Sequence, residues 1–296
     1  MTLKLRFVQL DVFTTTRFLG NPLAIVHLAD GDELPQAQKQ RIAAEFNLSE
    51  TVFLHETSNP NVPVTIDIFT TTEELPFAGH PTVGSGWHLL SQAPEKGTVT
   101  LRTKAGDIPV IRGDNRVRLQ VPIDFKVHEP FAQPGVKTLQ PQLKDGDYVN
   151  GKDGAEAMAS IVKGMTFVLL QLSSEEALAA MQPYPSRFYT AGLGEWAGFL
   201  GVYAFFERED GTVRTRMFDG SLEDPATGSA ASTLAGWLAR KKGQGSWKIE
   251  IIQGVEMGRK SEISVEVEVG AGGDITRIDL GGTAVEVMEG WIQVGW

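Results

Sequence analysis

The chain has 296 residues, 42% of them hydrophobic and 22% charged, which is typical of a globular protein and not of a disordered or fibrous one. Its formal net charge is −10 without any block of lysine or arginine, so binding to duplex nucleic acid, which needs clustered cations, is not expected. The absence of cysteine excludes disulfides, thiolate nucleophiles and cysteine-bound metal centres.

The sequence carries no sign of an export or membrane segment. It begins with an alternating, strand-like stretch in place of an apolar signal region. No run of about 18 apolar residues occurs. We therefore expect a cytoplasmic protein that does not associate with membranes.

Predicted strands and helices alternate in the first part of the chain. Proline near the start and asparagine at the end delimit the first predicted helix, at 34–47. Strands are predicted at 7–13, 23–28, 49–54, 64–69, 99–103, 108–112 and 116–121, and a second helix from about 80 to 90.

The second part of the chain repeats that order after a dissimilar segment. Residues 125–155 are rich in proline, glutamine, lysine, glycine and aspartate, which predicts an irregular connection. Strands are predicted after it at 167–172, 198–207, 213–218 and 265–269, with helices at 174–181 and ending near 241. We therefore expect an N-terminal half at 1–124, rejoined by a C-terminal strand at 282–296, and a C-terminal half at 125–281.

The two junctions at which a strand leads into a helix match without gaps. Residues 80–85 align with 224–229, and proline, glycine and serine coincide at three of the six positions. Chance agreement among common turn residues is the alternative explanation, and the matched strand order counts against it. The match predicts a duplicated α+β fold of two pseudo-symmetric halves, each with a helix packed into a strongly curved sheet.

Both junctions have the composition of an anion-binding helix start. The first turn of a helix offers unpaired N–H groups and the positive end of the helix dipole. Gly84 and Gly228 would let a ligand approach the backbone, and Ser85 and Ser229 would add hydroxyl donors. A well-capped helix that binds nothing is the alternative for either junction alone, and the agreement between the two favours a site.

Other residues are ambiguous from local sequence. His80 also fits a capping or packing histidine, Asp224 an N-cap, and Glu50 an exposed glutamate after a helix. The remaining histidines lack metal-ligand spacing, and no phosphate-binding loop, dinucleotide fingerprint or nucleophile elbow is present. We therefore expect no metal and no organic cofactor.

Motifs spread over nearly the whole chain form a recognisable series. They are Asp11-Val12-Phe13 with Gly20-Asn21-Pro22, Asn47-Leu48-Ser49-Glu50-Thr51, Phe77-Ala78-Gly79-His80-Pro81-Thr82, Glu223-Asp224-Pro225-Ala226-Thr227-Gly228-Ser229, and Gln253-Gly254 with Met257-Gly258-Arg259. In this order they resemble the phenazine biosynthesis-like (PhzF-like) family. That family is similar in fold to diaminopimelate epimerase and proline racemase, in which each half is a barrel-like sheet around a central helix and the site lies in the cleft between the halves.

The resemblance implies roles for particular residues. The catalytic glutamate of the family falls on Glu50, its substrate-contacting histidine on His80, and its aspartate and serine on Asp224 and Ser229. His80 and Asp224 would orient the substrate and assist proton relay. Related racemases have a cysteine near each helix start, where this chain has alanine, so a two-thiol mechanism is excluded and a single carboxylate acid/base fits better.

We therefore expect a cofactor-independent isomerase that moves a proton within a small carboxylate-bearing metabolite. Glu50 would be the acid/base, and the helix starts at Gly84 and Gly228 would hold the carboxylate and any developing oxyanion. One alternative is a ligand-binding or interaction protein that retains the fold without turnover. Another is a hydrolase using Ser229, which has no histidine base nearby in sequence. The resemblance also favours a homodimer.

Overall fold

In the computed structural model, which describes residues 3–59 and 62–295, the chain forms two compact units. The first comprises the residues up to Val121 together with those from Leu280, and the second runs from Pro122 to Asp279. Each contains a curved mixed sheet and one long helix, so the predicted α+β class is confirmed. Among the described residues, no helix is both long enough and apolar enough to cross a membrane.

The first unit consists mainly of strands. Its elements are β1 Leu3–Val12, β2 Asn21–Leu28, α1 Gln36–Phe46, β3 Thr51–His55, β4 Val64–Phe69, β5 Glu74–Leu75, α2 Gly79–Gln92, β6 Thr98–Thr103, β7 Gly106–Arg112, β8 Val117–Gln120 and β18 Ala284–Val294. The strand β1 pairs antiparallel with both β2 and β18, and β3 joins β2 in parallel. The last strand of the described chain therefore lies beside the first.

The helix α2 is enclosed by the sheet of its own unit. It contacts strands β1, β2, β3, β6, β7, β8 and β18. A Cβ atom at Gly84 would lie 2.5 Å from the Leu23 side chain, and one at Gly86 would lie 2.5 Å from Val110. Real Cβ atoms do not approach other atoms this closely, so the small residues of α2 let the surrounding strands pack against its backbone.

The second unit has a similar plan. Its elements are β9 Lys126–Phe131, α3 Gly135–Thr138, β10 Glu156–Val162, β11 Met165–Gln171, α4 Glu175–Ala180, β12 Phe199–Glu207, β13 Val213–Asp219, β14 Leu222–Asp224, α5 Gly228–Lys242, β15 Gly245–Gln253 and β16 Ser261–Val269, and β17 Ile275–Gly282 runs past its end. The helix α5 contacts β10, β11, β15 and β16. A Cβ atom at Gly236 would lie 2.6 Å from the Phe125 ring, so small residues again allow close packing.

The segment 125–155 differs from the irregular connection predicted for it. It contains β9, which pairs antiparallel with β10, and the short helix α3. Val136, Leu143 and Tyr148 are buried in the core of the second unit, and Lys137 forms an ion pair with Glu156. These apolar residues are separated by prolines, glycines and charges, so the segment has no periodicity by which sequence alone could reveal its order.

Candidate active site

A hydrogen bond joins Glu50 and His80 in the first unit. The helix α1 ends at Phe46, its C-cap Asn47 adopts the left-handed conformation (φ 51°), and the residue after Glu50 begins β3. His80 is the second residue of α2. Its Nδ1 atom lies 3.0 Å from Oε2 of Glu50. The fold thus brings together two residues that the sequence separates by 30 positions.

The chemistry of the pair fixes the direction of this bond. An ionised carboxylate can only accept, so Nδ1 of His80 carries the proton that it donates to Glu50. The side chain of His80 is 4% exposed and that of Glu50 is 19% exposed. The other ring nitrogen of His80, Nε2, is buried and has no hydrogen-bond partner among the described residues. The ring of Phe13, whose φ of 64° is unusual for a side chain of this size, lies 6.5 Å from the His80 ring.

The surroundings of Glu50 favour its charged form. Burial alone would raise the pKa of Glu50, but the hydrogen bond and charge of His80, with a further hydrogen bond from Ser49, outweigh it and hold the pKa below its usual value of 4.5. Glu50 is therefore a carboxylate at neutral pH. The sequence left the direction of this shift open, because it depends on which groups surround the carboxyl.

The prediction that Gly84 lies in the unpaired first turn of a helix is wrong. The helix α2 begins at Gly79, so Gly84 is its sixth residue and its N–H group lies within the helical hydrogen-bond ladder. The close approach of Leu23 gives Gly84 a packing role. The first-turn N–H groups without an intrahelical partner belong to Gly79 and His80, since Pro81 has none.

Ser85 lies deeper in the same helix. It is fully buried, and its hydroxyl has no hydrogen-bond partner among the described residues. Its predicted contact with the substrate therefore stays a prediction.

In the second unit, α5 begins at Gly228, where the sequence placed a helix start. Asp224 is not its N-cap, because Asp224 ends β14 and Thr227 occupies the cap position. The Thr227 side chain makes no capping hydrogen bond to the first turn. The N–H groups of Gly228 and Ser229 lie in the first turn of α5, and the side chain of the N-cap residue does not cap them.

Asp224 belongs to a partly buried polar network that the sequence did not reveal. The Thr227 hydroxyl donates to Oδ2 of Asp224 at 2.5 Å, and the Gln253 amide donates to the Asp224 carbonyl at 2.8 Å. Tyr203 donates to the Gln253 side chain at 2.9 Å. The motif Gln253-Gly254 was a signal for this network, whereas nothing in the sequence marked Tyr203.

The described residues form no metal cluster, and the cavity of the first unit does not involve the residues predicted from sequence. Over 3–59 and 62–295, no three histidine, aspartate or glutamate side chains cluster closely enough to hold a metal ion. A cavity of about 620 Å³ in the first unit is lined by His27 and by residues within 54–59, 62–64 and 89–100. None of the predicted site residues lines it.

Two curved-sheet units, each with a helix enclosed by strands, define the fold shared by phenazine biosynthesis proteins and proline racemase-like epimerases. The Bacillus anthracis phenazine biosynthesis protein of the PhzF family superposes with a TM-score of 0.80 at 23% identity, over 98% of this chain and 99% of the other. A hydroxyproline epimerase from Agrobacterium vitis superposes with a TM-score of 0.63 at 14% identity, over 98% and 92%. The predicted fold is thereby confirmed.

Sequence similarity identifies the family. The family model for phenazine biosynthesis-like proteins matches residues 10–290. An uncharacterized isomerase of Pasteurella multocida is 34% identical over 290 residues, which are 95% of this chain and 94% of the relative. The trans-2,3-dihydro-3-hydroxyanthranilate isomerase of Pseudomonas aeruginosa is 33% identical over 297 residues, which are 96% and 98%. The chain belongs to the phenazine biosynthesis-like (PhzF) family, and these relatives support an isomerase.

Proposed function

We propose that this protein moves a proton within a small carboxylate-bearing substrate, with Glu50 as the acid/base. The observation that carries the proposal is the bond between Glu50 and His80, in which a partly buried carboxylate is held charged and oriented by a neighbouring imidazole. Catalytic acids and bases typically occupy such environments. The isomerase names of the relatives support the reaction class.

The reaction begins with Glu50 as the base. Its carboxylate takes a proton from a carbon next to a C=C bond of the substrate, and the electron pair of the broken C–H bond becomes delocalised over that C=C bond and the substrate carboxylate. The protonated Glu50 then returns the proton to another carbon of this delocalised system, so that a new C–H bond forms, the C=C bond has moved and the carboxylate is restored. His80 keeps the Glu50 carboxyl in place throughout, since its Nδ1–H group donates to one oxygen.

A glutamate with a lowered pKa is a modest base, so the negative charge that develops on the substrate needs stabilisation. The first-turn N–H groups of α2 and α5 are suitable donors because they are fixed in place before the reaction. We assign the substrate carboxylate to these donors, with Asp224 and Ser229 as further contacts.

The experiment that tests the proposal is solvent exchange. The protein is incubated in D₂O with trans-2,3-dihydro-3-hydroxyanthranilate, the compound named for a related isomerase, and with a panel of small carboxylates, and proton NMR follows the C–H signals. We expect catalysed isomerisation, or exchange of a C–H proton for deuterium, in at least one compound. A compound that binds without exchange or isomerisation would favour a non-catalytic binding protein.

A further inference from the structure

We propose that Gln253 is a positioning residue that orients the Asp224 carboxylate. The inference rests on the proposed function and adds a residue to which neither the family pattern nor the sequence assigned a role. Gln253 ends β15 and is fully buried. The strand β12 pairs along one edge of β13, and the other edge pairs first with β15, where Thr215 faces Gln253, and then with β14, where Met217 faces Asp224. The sheet therefore holds the amide beside Asp224.

The Gln253 amide makes four hydrogen bonds, which is its full capacity. Its oxygen accepts from the Tyr203 hydroxyl at 2.9 Å and from the Thr227 backbone N–H at 3.3 Å. Its nitrogen donates to the Asp224 carbonyl at 2.8 Å and to the Thr227 hydroxyl at 3.1 Å. A backbone N–H can only donate and a carbonyl can only accept, so this orientation of the amide is the one that satisfies all four partners.

The direction of these hydrogen bonds determines which acceptor receives the Thr227 hydroxyl proton. Because Gln253 donates to the Thr227 hydroxyl, the single hydroxyl proton is left for Oδ2 of Asp224, 2.5 Å away. A series of hydrogen bonds, each donating toward the next residue, therefore runs from Tyr203 through Gln253 and Thr227 to the Asp224 carboxylate. Burial raises the pKa of Tyr203, which keeps its hydroxyl protonated as the first donor.

Two features indicate that this series of hydrogen bonds orients the Asp224 carboxylate and does not cap the helix α5. Thr227 is the N-cap of α5, and a threonine there commonly stabilises the helix by about 1 kcal/mol through its side chain. Here the hydroxyl makes no capping bond and is directed at Asp224. Gly254 adopts φ 73°, and a Cβ atom there would lie 2.6 Å from the Pro225 carbonyl, so the end of β15 is pressed against the turn that follows Asp224.

The test compares variants of the residues in this hydrogen-bond series by kinetics and by crystallography. Gln253→Leu removes both donors of the amide, Thr227→Val removes the hydroxyl, and Thr227→Ser retains it. Gln140→Leu is the matched control, since Gln140 is also fully buried in this unit and its amide bonds to the Gln182 backbone and the Gln142 side chain. Turnover is measured on trans-2,3-dihydro-3-hydroxyanthranilate or on the carboxylate found by solvent exchange.

We expect Gln253→Leu and Thr227→Val to lower kcat by about tenfold or more with KM within about twofold, because a misdirected carboxylate weakens chemistry more than binding. Thr227→Ser should recover most of the rate lost in Thr227→Val, and Gln140→Leu should keep its kcat. Crystal structures of Gln253→Leu and Thr227→Val should show the Asp224 carboxylate in a changed orientation. An unchanged carboxylate, or an unchanged kcat in both variants, overturns the inference.

The crystallographic arm separates this inference from the proposed function. A wild-type protein without turnover on any compound contradicts the isomerase proposal, while the orientation of Asp224 in the variants still decides the role of Gln253. A wild-type protein with turnover, together with variants that match it, contradicts only the role of Gln253.

Discussion

His80 donates from Nδ1 to Oε2 of Glu50 over 3.0 Å, and this bond connects the residue before β3 with the second residue of α2. The bond has two consequences. It holds the pKa of the Glu50 carboxyl below its usual value, against the effect of burial. It also requires a proton on Nδ1 of His80, whereas the buried Nε2 atom has no hydrogen-bond partner among the described residues.

Replacement of Glu50 by glutamine tests the acid/base role. Glu50→Gln keeps the shape of the side chain and removes the transferable proton, so we expect turnover to fall by at least about 10²-fold while substrate affinity survives. Glu56→Gln is a matched control, because Glu56 is a half-exposed glutamate of the same unit that bonds to His27 at 2.9 Å. It should retain the wild-type rate. Normal turnover in folded Glu50→Gln protein would falsify the assignment.

The pH dependence of kcat/KM tests the influence of His80 on Glu50. In the proposed reaction the carboxylate is the active form, so kcat/KM should fall as the pH drops through the Glu50 pKa, which lies below 4.5 in the wild type. In His80→Asn the charge of the imidazole is lost, and burial then dominates and raises the Glu50 pKa. The acidic limb should therefore move to higher pH. A limb that stays in place shows that His80 does not set this pKa.

Replacement of Gly84 by alanine tests whether this glycine serves packing. The new methyl group would lie 2.5 Å from Leu23 and 2.9 Å from Val12, so we expect a loss of about 1–3 kcal/mol in the free energy of unfolding from overpacking, partly offset by better helix propensity. Gly97→Ala is the control, since nothing lies within 4 Å of its Cβ position. Chemical denaturation of both variants measures the difference, and equal stabilities would contradict the packing role.

The buried ion pair of Lys137 and Glu156 should dominate the stability of the segment 125–155. The two groups are 2.6 Å apart, with side chains 4% and 2% exposed. Lys137→Met leaves a buried carboxylate unpaired, and we expect a loss of about 3–5 kcal/mol at neutral pH. Lys163→Met is the control, because its pair with Glu195 is exposed and should contribute less than about 1 kcal/mol.

The pH dependence of this effect has a definite sign. Burial, opposed by Lys137, raises the pKa of Glu156, so the folded state binds its proton more tightly than the unfolded state. The Glu156 contribution to stability is therefore most favourable below the ordinary pKa of 4.5 and declines as the pH rises through the folded value. Without Lys137 the folded pKa rises further, so the deficit of Lys137→Met should shrink on acidification. Adding Glu156→Gln should also reduce it, and a deficit that is independent of pH would contradict this explanation.

Independence from metals and organic cofactors remains a prediction, based on the absence of cysteine and of the usual phosphate and nucleotide motifs. Protein that has been dialysed against a chelator and desalted should keep its full rate on the compound identified by solvent exchange. Activity that returns only on addition of a metal ion or a nucleotide would contradict it.

The sequence alone determined the class of the fold and the order of its motifs. Alternating and helical patterns placed most strands of both units within a few residues, because the side-chain period of an element is a local property. It also excluded a two-thiol mechanism, since the chain has no cysteine. The sequence did not reveal the elements within 125–155, because the residues that this segment buries in the core are isolated from one another and follow no helical or strand period.

Tertiary structure decided which groups meet. The helix α2 begins at Gly79, close to the predicted position, but the packing of Gly84 depends on the approach of Leu23, which the junction sequence does not encode. The direction of the Glu50 pKa depends on a contact across 30 residues and on burial by the rest of the unit. The link from Gln253 to Asp224 requires β14 and β15 to pair with the same edge of β13. Hydrogen bonds and desolvation act over a few ångströms in space, and packing alone sets which distant residues come that close.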